Sequence, residues 1–326
     1  MLVTKKRMVY ITIALTVIFF IPLFHLPESI VGDRGDNILL FAPKILFLSL
    51  TAALAAAITI VLLFKREYLR WQLDTFNRFK NLLRLQVKRD FVKRYRKSVL
   101  GVLWSLLNPM LTMLVMTFVF SNLFARDVPN FPVYLLSGQL VFFFFSEATN
   151  SALGSVIASE GIIKKVYVPK YIFPLSKVLS SLVNLLFSFI AFIIVFVVTG
   201  QQFQWTMLLI PLPIIYTFIF ALGIALLLSS MAVFFRDLQY LWGVFITLLT
   251  FMTPLFYPVE IIPERWLPFY NLNPMYHFVD FFREVALNGN IPDIWSNIVC
   301  IGYALAALCV GTVVFMKQQD KYILYI

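Results

Sequence analysis

The sequence predicts an all-α polytopic membrane protein. It should have about eight transmembrane helices and an amphipathic cytoplasmic interface helix. Three observations predict this. First, 61% of the 326 residues are hydrophobic, against about 45–50% in soluble chains. Second, apolar runs recur at about 20 residues, the length that crosses a hydrocarbon core of about 30 Å. Third, lysine and arginine gather in alternate connections between those runs, as the positive-inside rule requires.

In chain order, the expected spans are 8–27, 39–64, 100–125, 133–157, 172–199, 206–233, 240–257 and 294–316. The first lacks a small-x-small cleavage site and is read as retained. Residues 1–66 therefore form an N-terminal transmembrane hairpin, 67–98 a basic interface helix, and 99–326 a six-span core. With both termini cytoplasmic, 22 of the 27 Lys and Arg fall inside, while nine acids from Glu28 to Asp293 fall outside. The net charge of +11 is thus the charge of a membrane face, with no nucleic-acid partner implied.

The interface helix carries twelve Lys or Arg between Lys65 and Lys97. Leu69, Leu73, Phe76, Phe79, Leu83, Val87, Phe91 and Tyr95 recur at steps of three or four and form an apolar stripe. Such a helix lies in the inner-leaflet interface with its charges toward phosphates. It serves either as a topological anchor alone or also as a contact for an anionic head group. The break at Ser98-Val99-Leu100-Gly101 should turn the chain into the membrane.

Ionisable groups inside spans point to function, and this chain has few. Glu147 lies in FFFFSEATNSALGS. Ser146, Asn150 and Gly154 share one helix face there, and Glu147, Ser151 and Ser155 the adjacent one. Lys177, Ser181, Asn184 and Ser188 recur at helical spacing in the next span. These two spans should meet through their polar faces, either for packing alone or to line a transport route.

No chain of acids or histidines crosses the bilayer, which argues against a proton-coupled transporter. No G-x-x-x-x-G-K-[ST] loop is present, so nucleotide cannot be held that way. No zinc-protease or nucleophile-elbow motif appears. Cys300 and Cys309 stand nine residues apart, about 13 Å on a helix, too far for a disulfide. Together with His25 and His277 they are too few and too distant for a structural metal site. The segment 258–293 is broken by Pro258, Pro263, Pro268 and Pro274 yet rich in aromatics. It should dip into the outer leaflet or plug the outer mouth, or simply form an interfacial aromatic belt.

Three stretches carry a family resemblance. RDFVKRYRKSVLGVLWSLLNP has Arg89-Asp90, Arg94-Tyr95, Ser98 to Gly101 and Trp104 to Pro109 in order. GIIKKVYVPKYIFPLSKVLSS follows, and then FFRDLQYLWGVFITLLTFMTPLFYP with NLNPMYHFVDFFREV. From about residue 70 to the end, the chain resembles the permease subunits of type-2 ABC exporters that move O-antigen, capsule or teichoic acid.

The resemblance implies two permease copies with two cytoplasmic ABC ATPase subunits. ATP and Mg would be bound by the ATPase, and no cofactor by this chain. It implies a coupling loop near 158–170, with Ile162, Ile163, Lys164, Lys165, Val166 and Tyr167 seated in an ATPase cleft. Arg89, Lys93, Arg94 and Arg96 would contact the diphosphate of a lipid-linked glycan. Phe118, Phe120, Phe251, Phe256 and Tyr257 would line the channel, with Glu147, Asn150 and Asn184 as intramembrane polar groups. Residues 258–293 would be the re-entrant outer segment, folded as outer re-entrant half-helices. The two extra N-terminal spans depart from the six-span family core, and the short tail leaves no room for a sugar-binding domain. The function implied is export of a lipid-linked polysaccharide across a bacterial inner membrane. The alternatives are export of a drug, lipid or small molecule, and a membrane glycosyltransferase, for which Glu260, Glu264, Asp280 and Glu284 would be the acids.

Overall fold

The computed structural model describes residues 66–96, 98–124, 128 and 130–325. The expected N-terminal hairpin, with spans 8–27 and 39–64, lies outside the described residues. The chain divides into two compact units, Met1–Lys80 and Asn81–Ile326. In the first, only the helical stretch 66–80 is described. No strand occurs among the described residues.

Helix α1 runs from Arg66 to Tyr95. From Asn81 onward its inner face is Leu83, Gln86, Val87, Asp90, Phe91 and Tyr95, while Arg84, Lys88, Arg89 and Lys93 are exposed. The expected stripe is therefore present at Leu83, Val87, Phe91 and Tyr95, with Gln86 and Asp90 added to it. Phe91 anchors this face by stacking on Phe187 with ring centroids 5.7 Å apart. The helix ends at Tyr95, and beyond it Gly101 takes a left-handed φ of +49°, a conformation that other residues adopt only under strain. The Ser98 hydroxyl accepts the Gly101 N–H at 3.3 Å and closes the turn.

The bundle follows with α2 (Trp104–Phe124), α3 (Phe131–Leu153), the single turn α4 (Glu160–Ile163), α5 (Ile172–Val198) and α6 (Pro211–Phe234). Then come α7 (Leu238–Met252), α8 (Leu267–Asn271), α9 (Pro274–Arg283), α10 (Ile294–Gln318) and α11 (Tyr322–Tyr325). Five segments among the described residues are long and apolar enough to cross a membrane: Gly101–Phe120, Phe131–Leu153, Ile172–Val198, Trp205–Phe234 and Ile294–Tyr325. The α3 segment is 72% buried and the α2 segment 11%. So α3 is the hub of the bundle, with α5 and α6 packed on it, and α2 is its edge.

Helices α6 and α10 make the closest pairing in the bundle. Gly223 and Gly311 face each other there, and a Cβ built on either would overlap the other helix's backbone. Without a hydrophobic drive between helices in lipid, close backbone approach of this kind supplies the packing energy. Hydrogen bonds fasten both ends: Tyr216 Oη to Asn297 Oδ1 at 3.1 Å and Ser230 Oγ to Gln318 Oε1 at 2.7 Å.

The expected span at 240–257 is a 15-residue helix, α7. At about 22 Å it is shorter than a bilayer crossing. Its apolar run continues, but the helix stops at Met252. Asn273 holds the stop, donating to Met252 O at 3.1 Å and Thr253 Oγ1 at 2.9 Å. The same side chain accepts the Met275 N–H and caps α9, whose first residue is Pro274. The proline-broken segment is not a span. Its helix α9 buries Met275, Phe278, Val279, Phe281 and Phe282 within the protein, against α3 and α6.

Candidate functional site

The site is built where α1, α2, α3 and α5 converge. Glu147 on α3 meets Asn184 and Ser181 on α5: its Oε1 accepts from Asn184 Nδ2 at 2.6 Å and Ser181 Oγ at 3.3 Å. The two spans thus join through polar faces, as their spacing predicts. Arg94 of α1 approaches the same oxygen, Nη2 to Oε1 at 2.6 Å. Tyr95 Oη donates to Asn184 Oδ1 at 3.2 Å. Farther along, Lys177 Nζ pairs with Asp90 Oδ2 at 2.8 Å. A helix of water-seeking charge is therefore tied to the bundle by four residues on one of its faces.

Ser188 shows why α2 belongs to this site. Pro109 lies inside α2 and has no N–H, so the carbonyl of Ser105, four residues earlier, lacks its helical partner. Ser188 Oγ donates to that carbonyl at 3.4 Å. The Trp104-to-Pro109 run and the polar row on α5 are two halves of one contact.

Burial works against the charge on Arg94, but its hydrogen bond to Glu147 and the attraction of that carboxylate prevail. The guanidinium pKa is raised above its ordinary value. A cleft of about 310 Å³ opens beside the pair, with Arg94, Tyr95, Trp104, Asn108, Asn184 and Ser188 in its wall.

The four basic candidates on α1 separate. Arg89, Lys93 and Arg96 share an outer face and line an open hollow of their own, while Arg94 faces Glu147. Asn150 does not join the cluster. It is exposed, and its amide donates to Ser146 O at 2.9 Å within its own helix.

In the candidate coupling loop, Ile163 is buried in the chain's own packing, and Lys164 pairs with Glu160 at 2.6 Å. Lys165, Val166 and Tyr167 face outward, Tyr167 at 85% exposure. At the end of the loop, Lys170 donates to Gln319 O and sits 5.6 Å above the Tyr322 ring, so the segment Gln319–Tyr322 braces the loop's second arm.

Of the channel candidates, Phe118 and Phe251 are exposed. Phe120 stacks on Phe256 with centroids 6.0 Å apart. Tyr257 Oη donates to Phe251 O at 2.5 Å and lies 3.0 Å from Tyr270 Oη. Tyr257, Trp266, Phe269 and Tyr270 wall a cleft of about 440 Å³ with Met252 and Ile262.

Arg283 emerges only in the structure. It is 6% exposed, and its guanidinium lies 3.6 Å from the centroid of the Tyr134 ring. It donates to Tyr134 Oη at 2.9 Å, Pro254 O at 2.7 Å, and Ser137 Oγ, Tyr134 O and Leu255 O at 3.3 Å each. Burial pushes its pKa below the ordinary value, which Tyr134 and Asp280 oppose. A lone arginine in the apolar run FVDFFREV was the available signal.

Residues 81–287 match the model of the ABC-2 type transporter family. The chain is 30% identical over 244 residues to the O-antigen export system permease protein RfbA of Klebsiella pneumoniae, covering 74% of this chain and 93% of that one. It is 27% identical over 246 residues to RfbA of Myxococcus xanthus, covering 75% and 95% respectively. It is 25% identical over 235 residues to the polysialic acid transport protein KpsM of Escherichia coli, covering 71% and 91%.

Proposed function

The chain belongs to the ABC-2 type transporter family, and we propose that it is the permease subunit of an exporter for a lipid-linked polysaccharide. The observation that carries this reading is the similarity to O-antigen export permeases and to a polysialic acid transport protein along more than nine-tenths of their length.

In this reading two copies of the chain pair in a bacterial inner membrane, both termini cytoplasmic, and two separate ATPase subunits dock below. ATP and Mg are bound by those subunits. The turn α4 and the outward Lys165, Val166 and Tyr167 form the docking element: an aromatic anchor with charge beside it suits a pocket with a polar rim. Arg89, Lys93 and Arg96 offer their exposed hollow to lipid phosphates, since guanidinium forks fit phosphate oxygens. Phe118 and Phe251 lie uncovered on α2 and beside the outer segment. Stacked sugars would slide along such rings without their identity being read. The proline-broken segment closes the outer mouth.

Reconstitution tests the reading. The chain is placed in proteoliposomes with its ATPase and a diphosphate-linked glycan. ATP should drive the glycan to the opposite leaflet, and glycan should stimulate hydrolysis. Reversing Lys164 and Lys165 to Glu should return hydrolysis to the level of the isolated ATPase. Full stimulation by that double variant sinks the docking role, and no glycan movement by the wild type sinks the function.

A further inference from the structure

The cleft beside Arg94 continues inward. A second chamber of about 50 Å³ shares Pro109, Phe143, Glu147 and Ser188 with it. Gln139 stands in the chamber wall, 1% exposed, and neither its amide nitrogen nor its oxygen has a partner within the protein. Burying an amide without partners is costly, because the hydrogen bonds it made to water are not replaced. A donor and an acceptor at the blind end of a cleft call for a guest rich in both.

The charges at the mouth allow such a guest to be recognised. A guanidinium carries five donors, and Arg94 keeps a 42% exposed side chain on the cleft while paired to Glu147. Glu147 does not depend on Arg94 alone, because Asn184 and Ser181 donate to the same oxygen. Exchange of partners at Arg94 therefore leaves no bare buried carboxylate.

We propose that this cleft is the binding site for the phosphate-bearing head group of a lipid-linked glycan, entered when Arg94 exchanges the Glu147 carboxylate for a phosphate oxygen. The inference rests on the export function proposed above and deepens it. Glu147 is a competitor built into the site. The diphosphate bridge, with two charges against the carboxylate's one and oxygens matched to the guanidinium fork, displaces it; a neutral lipid does not. The sugar hydroxyls next to the phosphate then face Asn108, Asn184, Ser188 and the ring of Trp104, with Gln139 beyond. Displacement also removes one tie between α1 and the bundle, leaving Lys177–Asp90, Tyr95–Asn184 and the Phe91–Phe187 stack.

The test uses the full-length chain in neutral-lipid nanodiscs. The probes are a short polyprenyl diphosphate and the corresponding polyprenyl alcohol. The wild type should bind the diphosphate selectively. Glu147→Gln, which removes the competitor's charge, should tighten binding by about tenfold, the scale of one charge-assisted contact. Arg94→Gln should weaken it by about as much, and Arg94→Lys should retain part of the affinity, which separates lost contact from lost fold. In the Arg94→Gln background, Glu147→Gln should have no effect. Weaker or unchanged binding by Glu147→Gln overturns the exchange, as does tightening that persists without Arg94. Displacement of the lipid by an equal concentration of inorganic diphosphate overturns the lipid-borne assignment. Selective wild-type binding indifferent to both residues defeats this inference alone. A wild type that does not tell diphosphate from alcohol defeats the phosphate-lipid substrate as well.

Discussion

Arg283→Ala should detach the proline-broken segment from α3 and α7 and lower the detergent melting midpoint more than any other single change outside the glycine crossing. The guanidinium satisfies three backbone carbonyls, that of Tyr134 on α3 and those of Pro254 and Leu255 where the chain leaves α7. Hydrogen bonds to charged groups contribute about 1.5–3 kcal/mol each and are not additive, so a loss of about 3 kcal/mol or more is expected. Arg283→Lys should recover only part, since an ammonium cannot span the fork and lie flat on Tyr134. Gly138 should show the same dependence, because a Cβ there would meet Arg283 Nη2 at 2.7 Å. An unchanged midpoint for Arg283→Ala would contradict the role assigned to it.

Gly223→Val should be more damaging still. A side chain at Gly223 meets the Ala307 and Leu308 backbone, and backbone cannot swing aside as a flexible side chain can. Ordinary overpacking costs about 1–3 kcal/mol; here α6 and α10 must separate along their length, which also strains the Tyr216–Asn297 and Ser230–Gln318 bonds. Gly223→Ala should be intermediate. Gly243→Ala is the control, since nothing lies within 4 Å of a Cβ at that position. The fraction of monodisperse protein and its melting midpoint in detergent give the readout. Equal behaviour of Gly223→Val and Gly243→Ala would show that the crossing does not hold the bundle.

Periodicity made much of this legible. The stripe through Leu83, Val87 and Phe91 located the buried face of α1, and the rows around Glu147 and Asn184 located the meeting of α3 and α5. The meeting of Arg94 with Glu147 was not drawn from sequence, although Arg94 stands about 140° around the helix from Arg89; charge composition groups residues that geometry separates. Asn150 misled because a row of small polar residues does not say which of them turns back on its own helix. The end of α7 was hidden because hydropathy continues through Thr253 and Pro254, while the stop is made by Asn273, twenty residues downstream of Thr253. Arg283 lies in the proline-broken connection, and connections are read as solvated, but this one is folded into the protein. Gly223 and Gly311 are 88 residues apart, and no local pattern pairs them.

Export of a lipid-linked polysaccharide has a direct signature in the cell. The chain is depleted from its host and lipid-linked glycans are extracted from the inner leaflet. A diphosphate-linked polymer should accumulate inside while the matching surface glycan disappears, and mass analysis then identifies the cargo. Unchanged surface glycan with no internal accumulation would contradict the export function and turn attention to export of a small molecule by the same family fold.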